Sequence, residues 1–182
     1  SKGNAESFVA LNGKSPSIVH IATHGFYYTP DEAKDKDFLS GYTDAMSLSG
    51  LVFAGGNAAW LGKKNVDGVL GGVLTAKDIA NLDFKGTDLL VLSACKTGQG
   101  KVTAEGVFGL QRAFKKAGVG TIIMSLWNVD DKVTSEFMVA FYGQLTDKAN
   151  NWNKRKAFEQ TKEIIRKKHP DPYYWAAFVM LD

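Results

Sequence analysis

Cys95 and His24 each follow an apolar run, and their side chains could act as a nucleophile and a base. Cys95 is the only cysteine and follows the run DLLVLSA at 88–94. His24 follows SIVHIAT at 17–23 and is itself followed by Gly25. A thiol at the end of a strand, beside an imidazole, is held as thiolate or deprotonated on attack. This chemistry fits attack on a carbonyl carbon.

A glycine next to the histidine suggests how the charge formed in such an attack could be stabilised. The Gly25 backbone can approach a substrate carbonyl closely because glycine has no side chain. We expect the N–H groups of Gly25 and Cys95 to form an oxyanion hole.

The elements that must position these residues are typical of an α/β protein. Four apolar segments predict buried strands, and they lie at 17–23, 88–94, 121–127 and 174–181. Val107, Leu110 and Phe114 have helical spacing and predict a crossover helix over 103–118 that ends at Gly118. We therefore expect a mostly parallel central sheet flanked by helices, with Cys95 and His24 at its carboxyl edge.

Other local signals fill in the rest of the chain. Asp130 or Asp131 and, later, Asn153 can cap helices, and Thr75 to Asp78 resembles a capping box. The segments at 50–56 and 68–76 predict two short strands that form a small accessory hairpin, with Gly71 and Gly72 at a turn or bulge. Residues 27–47 have no clear period and predict a long surface loop.

Bulk properties favour one ordinary soluble domain over residues 1–182. The length of 182 residues suits a single core, and a net charge of +3 does not call for a nucleic-acid partner. One cysteine cannot form an intramolecular disulfide, and no apolar run is long enough to span a bilayer. We expect a cytoplasmic protein without membrane contact.

Several ordered blocks of the sequence resemble the CHAT domain, a family grouped with caspases, separases and gingipains. The blocks are HIATHG at 20–25, SGLVFAGGNAAW at 49–60, GVLTAKDIANLDFKGTDLLVLSACKTGQG at 72–100, EGVFGLQRAFKKAGVGTIIMSLWNVDD at 105–131 and YYWAAFVMLD at 173–182. The resemblance implies a caspase-like fold and a peptidase with a Cys/His dyad, often attached to tetratricopeptide repeats. The hallmarks of that clan fall on His24-Gly25 and Ala94-Cys95. The implied partners are a protein or peptide substrate and a regulatory protein or repeat segment. The family commonly has another strand and helix before HIATHG, where this chain offers only a possible helix at 5–11, so the resemblance also implies a piece of a longer protein.

The same resemblance gives candidates for the substrate pocket. Metacaspases have an Asp two positions before the cysteine, where this chain has Ser93. Separases have a WDVTD-like stretch that is similar to WNVDD at 127–131, so Asp131 and then Asp130 are candidate S1 residues. The competing interpretation is that these two aspartates simply cap the next helix. The residue after Cys95 is Lys96, where the family frequently has an acidic residue.

The histidines favour structural roles over a metal site, and two alternatives to an endopeptidase remain. His20 and His24 are four residues apart, but a β-rich segment without a third ligand does not favour a metal site, and we expect no cofactor. We expect His20 to hydrogen-bond within the sheet and His169 to lie near the surface at a helix end. The alternatives to an endopeptidase are a catalytically silent interaction module and a thiol enzyme acting on a small substrate.

Overall fold

The computed structural model describes residues 5–34, 43–44, 46–56, 72–93 and 104–182, with side chains from 109 onward in the last range. Cys95, Lys96 and Gly71 lie outside these residues. The chain divides into two compact units, Ser1–Ile122 and Ile123–Asp182.

The first unit contains six strands, the last of which crosses its boundary, among the described residues. The strands are β1 Ile18–Ile21, β2 His24–Tyr27, β3 Ser49–Val52, β4 Val73–Thr75, β5 Leu89–Leu92 and β6 Thr121–Ser125. Its helices are α1 Ala5–Val9, α2 Pro30–Ala33, α3 Ala76–Ile79 and α4 Ala104–Lys116. The second unit contains α5 Asp131–Thr146, a 3-10 turn Lys148–Asn150, α6 Lys154–Lys168, α7 Pro172–Trp175 and β7 Phe178–Leu181.

The central sheet is mostly parallel, as expected, and helices flank it. Its strand order is β1-β5-β6-β7. β1 pairs with β5 in parallel, from Ile18 opposite Leu89 to Ile21 opposite Leu92. All four residues of β5 are buried, which explains its continuous apolar run because a central parallel strand has no solvent face. The predicted α/β class is confirmed.

The predicted accessory hairpin is part of a larger antiparallel sheet. β3 and β4 pair antiparallel as expected, but β2 adds a third strand on the other side of β3. The sheet is close-packed at Gly50, where a Cβ atom would lie 2.3 Å from the Leu74 carbonyl oxygen and 2.8 Å from the Phe26 ring. Only glycine fits there without moving a strand.

The prediction of one strand over 17–23 with His24 at its end is wrong in an informative way. β1 ends at Ile21, and Ala22-Thr23 leads directly into β2, which begins at His24. The Thr23 hydroxyl donates to the Val52 carbonyl and ties this link to β3. His24 is therefore the first residue of a strand in the antiparallel sheet.

Two other segments differ from their predictions. Residues 172–175 form a helix that Asp171 caps, with Pro172 in its first turn, so the last strand begins only at Phe178. The expected loop at 27–47 begins with buried Tyr27 and Tyr28 and contains α2. Thr29 and Glu32 form a capping box there, a T-x-x-E signal that was readable in the sequence.

The helix ends otherwise follow the local signals. Thr75 and Asp78 form the expected capping box of α3, and Asn153 caps α6. The backbone of Gly118 has φ +100°, beyond the end of α4, where glycine is favoured.

Aromatic side chains form the centre of each unit. In the first unit the rings of Phe8 and Phe84 stack with centroids 5.1 Å apart, and Phe114 meets Phe84 edge-on. In the second unit Phe137 stacks on Phe178 at 3.9 Å. No helix in the described parts of the chain is long and apolar enough to cross a bilayer.

Candidate active site

His24 lies just beyond the carboxyl end of β1 and is exposed. The last pair in the β1/β5 register is Ile21 with Leu92, and the Ser93 N–H extends the ladder by donating to the Ile21 carbonyl at 2.9 Å. His24 follows Ile21 by three residues, and Cys95 follows Leu92 by three residues. His24 and Cys95 thus each stand three positions after one member of the same strand pair, although Cys95 itself lies outside the described residues.

The Gly25 N–H points away from β3. Tyr28 N–H donates to the Leu48 carbonyl at 2.9 Å, and the register continues through Phe26 opposite Gly50 to His24 opposite Val52. Bonded and non-bonded pairs alternate along an antiparallel ladder, so the Gly25 pair is a non-bonded one. β2 is an edge strand of the described sheet, and the ladder with β3 leaves this donor unused.

Ser93 and His20 contact each other at the end of the parallel pair. His20 Nε2 and Ser93 Oγ lie 3.2 Å apart, and the hydroxyl also donates to the Ile21 carbonyl at 3.4 Å. This confirms that His20 hydrogen-bonds within the sheet. Packing around the ring removes water and lowers the pKa of His20 below its usual 6.5, although part of the side chain is exposed. The structure therefore places the Ser93 hydroxyl against His20.

Asp130 caps α5. Its Oδ1 accepts hydrogen bonds from the backbone N–H of Lys132 at 2.9 Å and of Val133 at 3.3 Å. Asp131 is the first residue of the helix and is exposed. The capping interpretation thus holds for Asp130, and the carboxylate of Asp131 has no part in that cap.

The segment leading to this cap is held by an aromatic pair that the sequence reasoning missed. Trp127 Nε1 donates to the Tyr173 carbonyl at 2.9 Å, and the Tyr173 hydroxyl donates to the Asn128 carbonyl at 2.5 Å. The two rings have centroids 6.5 Å apart. Nothing in the local sequence joins positions 127 and 173, because the contact spans 46 residues.

Comparison with known proteins decides the family. The CHAT domain profile matches residues 1–182, the whole chain. The chain belongs to the CHAT domain family. It is also similar to Tetratricopeptide repeat protein 28 of Homo sapiens, with 32% identity over 111 residues, and to the Mus musculus protein of that name, with 31%. The match covers 60% of this chain and 4% of each of these relatives.

Membership places this CHAT domain in the caspase-like peptidase clan and confirms the resemblance noted from the sequence blocks. The mixed α/β architecture with a mostly parallel sheet agrees with a caspase-like fold.

A metal-binding cluster is not present in the described part of the CHAT domain, where no three His, Cys, Asp or Glu side chains come together. His169 lies at the end of α6, where its Nε2 is 2.8 Å from Glu136 Oε2.

Proposed function

We propose that this CHAT domain is a cysteine endopeptidase whose nucleophile is Cys95 and whose base is His24. The observation that carries the proposal is the register of β1 and β5. Ile21 and Leu92 pair, and His24 and Cys95 each follow by three residues. Three residues span at most about 10 Å, so neither side chain can be far from the paired strand ends. Exposure of His24 leaves its ring accessible to a substrate.

The chemistry follows from the roles of the two side chains. The Cys95 sulfur attacks the scissile carbonyl carbon, and the imidazole of His24 takes the thiol proton. The resulting imidazolium gives that proton to the leaving amine as the peptide C–N bond breaks, which leaves a thioester. Water, deprotonated by His24, then releases the carboxylic acid and restores the thiol.

The oxyanion of the tetrahedral intermediate needs hydrogen-bond donors. The Gly25 N–H suits this role because it points away from β3 and follows the base directly. The Cys95 N–H is the second donor of the proposal. Two such donors stabilise the developing charge, and loss of one typically slows an enzyme by about 100-fold or more.

Asp131 is the proposed contact for a basic P1 side chain. Its exposed carboxylate is not used in the cap of α5, whereas Asp130 is. Ser93 is a weaker candidate, because its hydroxyl contacts His20. A carboxylate facing a substrate arginine would discriminate strongly through paired hydrogen bonds.

Regulation by another protein or by attached repeats is also part of the proposal. Both relatives are named for tetratricopeptide repeats, and the matched region is only 4% of their length. We propose that segments outside this chain control access of the substrate to the dyad.

Labelling with a peptide electrophile tests the dyad. Peptidyl acyloxymethyl ketones with arginine, leucine or aspartate at P1 would be incubated with the wild type, Cys95→Ala, His24→Ala and Asp131→Asn across pH 5–9. His169→Gln serves as the control for loss of an imidazole elsewhere. We expect labelling that Cys95→Ala abolishes and that His24→Ala slows by about 100-fold or more. His169→Gln should label like the wild type.

The same experiment separates the alternatives. Labelling no faster than that of a free thiol, and equal in His24→Ala, would contradict an assembled dyad and favour an interaction module. The comparison is then repeated with the full-length protein to test whether outside segments activate the domain. Equal labelling with all three P1 residues would remove Asp131 from the proposal.

A further inference from the structure

The passage from β1 to β2 takes only two residues, and the second of them is tied to the antiparallel sheet. Ala22 is exposed and has no polar group in its side chain. Thr23 is half-buried, and its hydroxyl donates to the Val52 carbonyl of β3. His24 follows directly as the first residue of β2. The side chain that immediately precedes the proposed base is thus anchored to the neighbouring strand.

The acceptor of this hydrogen bond belongs to the cross-strand partner of His24. The register of β2 and β3 pairs His24 with Val52. Four residues further along β2, the Tyr28 N–H donates to the Leu48 carbonyl at 2.9 Å. Bonded pairs recur at every second residue, so the His24/Val52 pair is a bonded one. A carbonyl oxygen has two lone pairs, and that of Val52 accepts both the Thr23 hydroxyl and the His24 N–H.

The Val52 end of β3 is itself fixed by a close-packed turn. The Phe53 N–H donates to the Gly72 carbonyl at 2.6 Å, and the Gly56 N–H donates to the Phe53 carbonyl at 3.0 Å. A Cβ atom on Gly56 would lie 2.4 Å from Val52 Cγ1, and one on Gly72 would lie 2.2 Å from the Gly56 nitrogen. Segments packed this closely leave little room for movement, so Thr23 is tied to a fixed point.

The position of the His24 ring depends on how well its backbone is held, because the ring is exposed. The His24/Val52 pair is the last one in the register of β2 and β3. The end of a ladder opens more readily than its middle. A second donor to the same carbonyl, from the residue just before His24, holds that end closed.

We propose that Thr23 is a positioning residue for His24. Its hydroxyl keeps the first pair of β2 closed and thereby fixes where the imidazole stands, without touching the substrate. This inference rests on the proposed role of His24 as the base and specifies what holds that base in place. Loss of the hydroxyl lowers the fraction of molecules in which the imidazole reaches the thiol, and a displacement of about 1 Å can slow an enzyme by about 100-fold.

Threonine variants test this role. Thr23→Val keeps the branched shape and removes the hydroxyl, whereas Thr23→Ser keeps the hydroxyl and removes the methyl group. Thr87→Val is the matched control, because the Thr87 hydroxyl also donates to a backbone carbonyl, that of Pro16, at 2.9 Å. Thr87 and Pro16 precede β5 and β1, so this bond lies at the amino ends of the two strands. His24→Ala shows whether labelling depends on the proposed base.

Two measurements are made on each protein, under conditions in which urea unfolding shows it to be folded. The first is labelling with the fastest of the three peptidyl acyloxymethyl ketones, analysed as a maximal rate, kinact, and a half-saturating concentration, KI. The second is amide hydrogen exchange by NMR at His24 and at Phe26, the next bonded position of β2. Exchange reports on the strand end without any need for catalysis.

We expect Thr23→Val to lower kinact by about 10-fold or more and to leave KI within about threefold, because the defect is in alignment and not in binding. Thr23→Ser should restore most of the rate. Exchange at His24 should become about 10-fold faster in Thr23→Val, with Phe26 unchanged. Thr87→Val should match the wild type in kinact and in exchange at His24, whereas a role in stability alone would affect both valine variants alike.

Several results would overturn the inference. Labelling that depends on His24 but is unchanged in Thr23→Val would remove the role of Thr23 and keep the dyad. Labelling that is independent of His24, in the domain and in the full-length protein, would contradict the dyad itself and with it any positioning of a base. Equal slowing in Thr23→Val and Thr23→Ser would assign the effect to packing of the methyl group. Unchanged exchange at His24 in Thr23→Val would show that the hydroxyl does not hold the strand end.

Discussion

At the scale of single residues, two glycines with opposite surroundings give a matched pair of predictions. Gly50→Ala places a methyl group 2.3 Å from the Leu74 carbonyl, so a strand must move, and we expect a loss of about 3 kcal/mol in the free energy of unfolding. Gly143→Ala places it in open space within a helix and should add about 0.5 to 1 kcal/mol. Urea unfolding at pH 7 measures both. A destabilised Gly143→Ala would contradict the helix geometry.

His20 gives a prediction that depends on pH. Burial lowers its pKa in the folded state below 6.5, so the unfolded chain binds a proton more readily. The wild type should therefore lose stability as the pH falls through 6.5, and His20→Gln should lose less. Urea unfolding at pH 8 and pH 5 gives the difference. Equal losses in the two proteins would mean that the His20 ring titrates as it does in water.

At the scale of elements, the cap of α5 separates a structural role from a role in substrate binding. Asp130→Ala removes the acceptor for two backbone N–H groups and should cost about 1 kcal/mol, whereas Asp130→Asn keeps a capping side chain and should cost much less. Thermal unfolding measures this. Asp131→Asn should change stability little and, under the proposed function, should weaken preference for a basic P1 residue.

The contact between Glu136 of α5 and the end of α6 also has a defined dependence on pH. Hydrogen bonds from His169 and Lys168 lower the pKa of Glu136 below 4.5. A lowered carboxyl pKa contributes stability above 4.5 that is lost as the pH falls through the folded-state value. Glu136→Gln should thus be less stable than the wild type at pH 6, and the difference should shrink toward pH 3. A difference that persists at pH 3 would show that the pair contributes through packing.

Elements with local signals were predictable from the sequence. The continuous apolar run of β5 and the capping residues Thr75, Asp130 and Asn153 each depend on neighbours within a few positions. Elements that depend on distant partners were not. β2 begins only two residues after β1 ends. Its pairing with β3 is what distinguishes it from a continuation of β1.

At the scale of the whole molecule, the α/β class and the mostly parallel central sheet followed from the alternation of apolar runs and helical periods. The third strand of the second sheet did not, because the pairing of β2 with β3 joins residues 24–27 to 49–52 and the intervening segment has no period. The contacts around the candidate site were not predictable for the same reason. Residue types and order indicated His24 and Cys95, but the contact of His20 with Ser93 spans 73 residues.

The two sheets of the first unit have a mechanical consequence for the proposed dyad. β5, which leads toward Cys95, is fixed by a backbone ladder to β1, while His24 is carried by the antiparallel sheet. The chain passes from the first of these ladders to the second through Ala22-Thr23. A shift of the smaller sheet by about one ångström relative to the central sheet would change the distance between the proposed base and the proposed nucleophile. The alignment of the proposed dyad thus depends on how the two sheets are held against each other, and a contact with another protein segment would be able to change it.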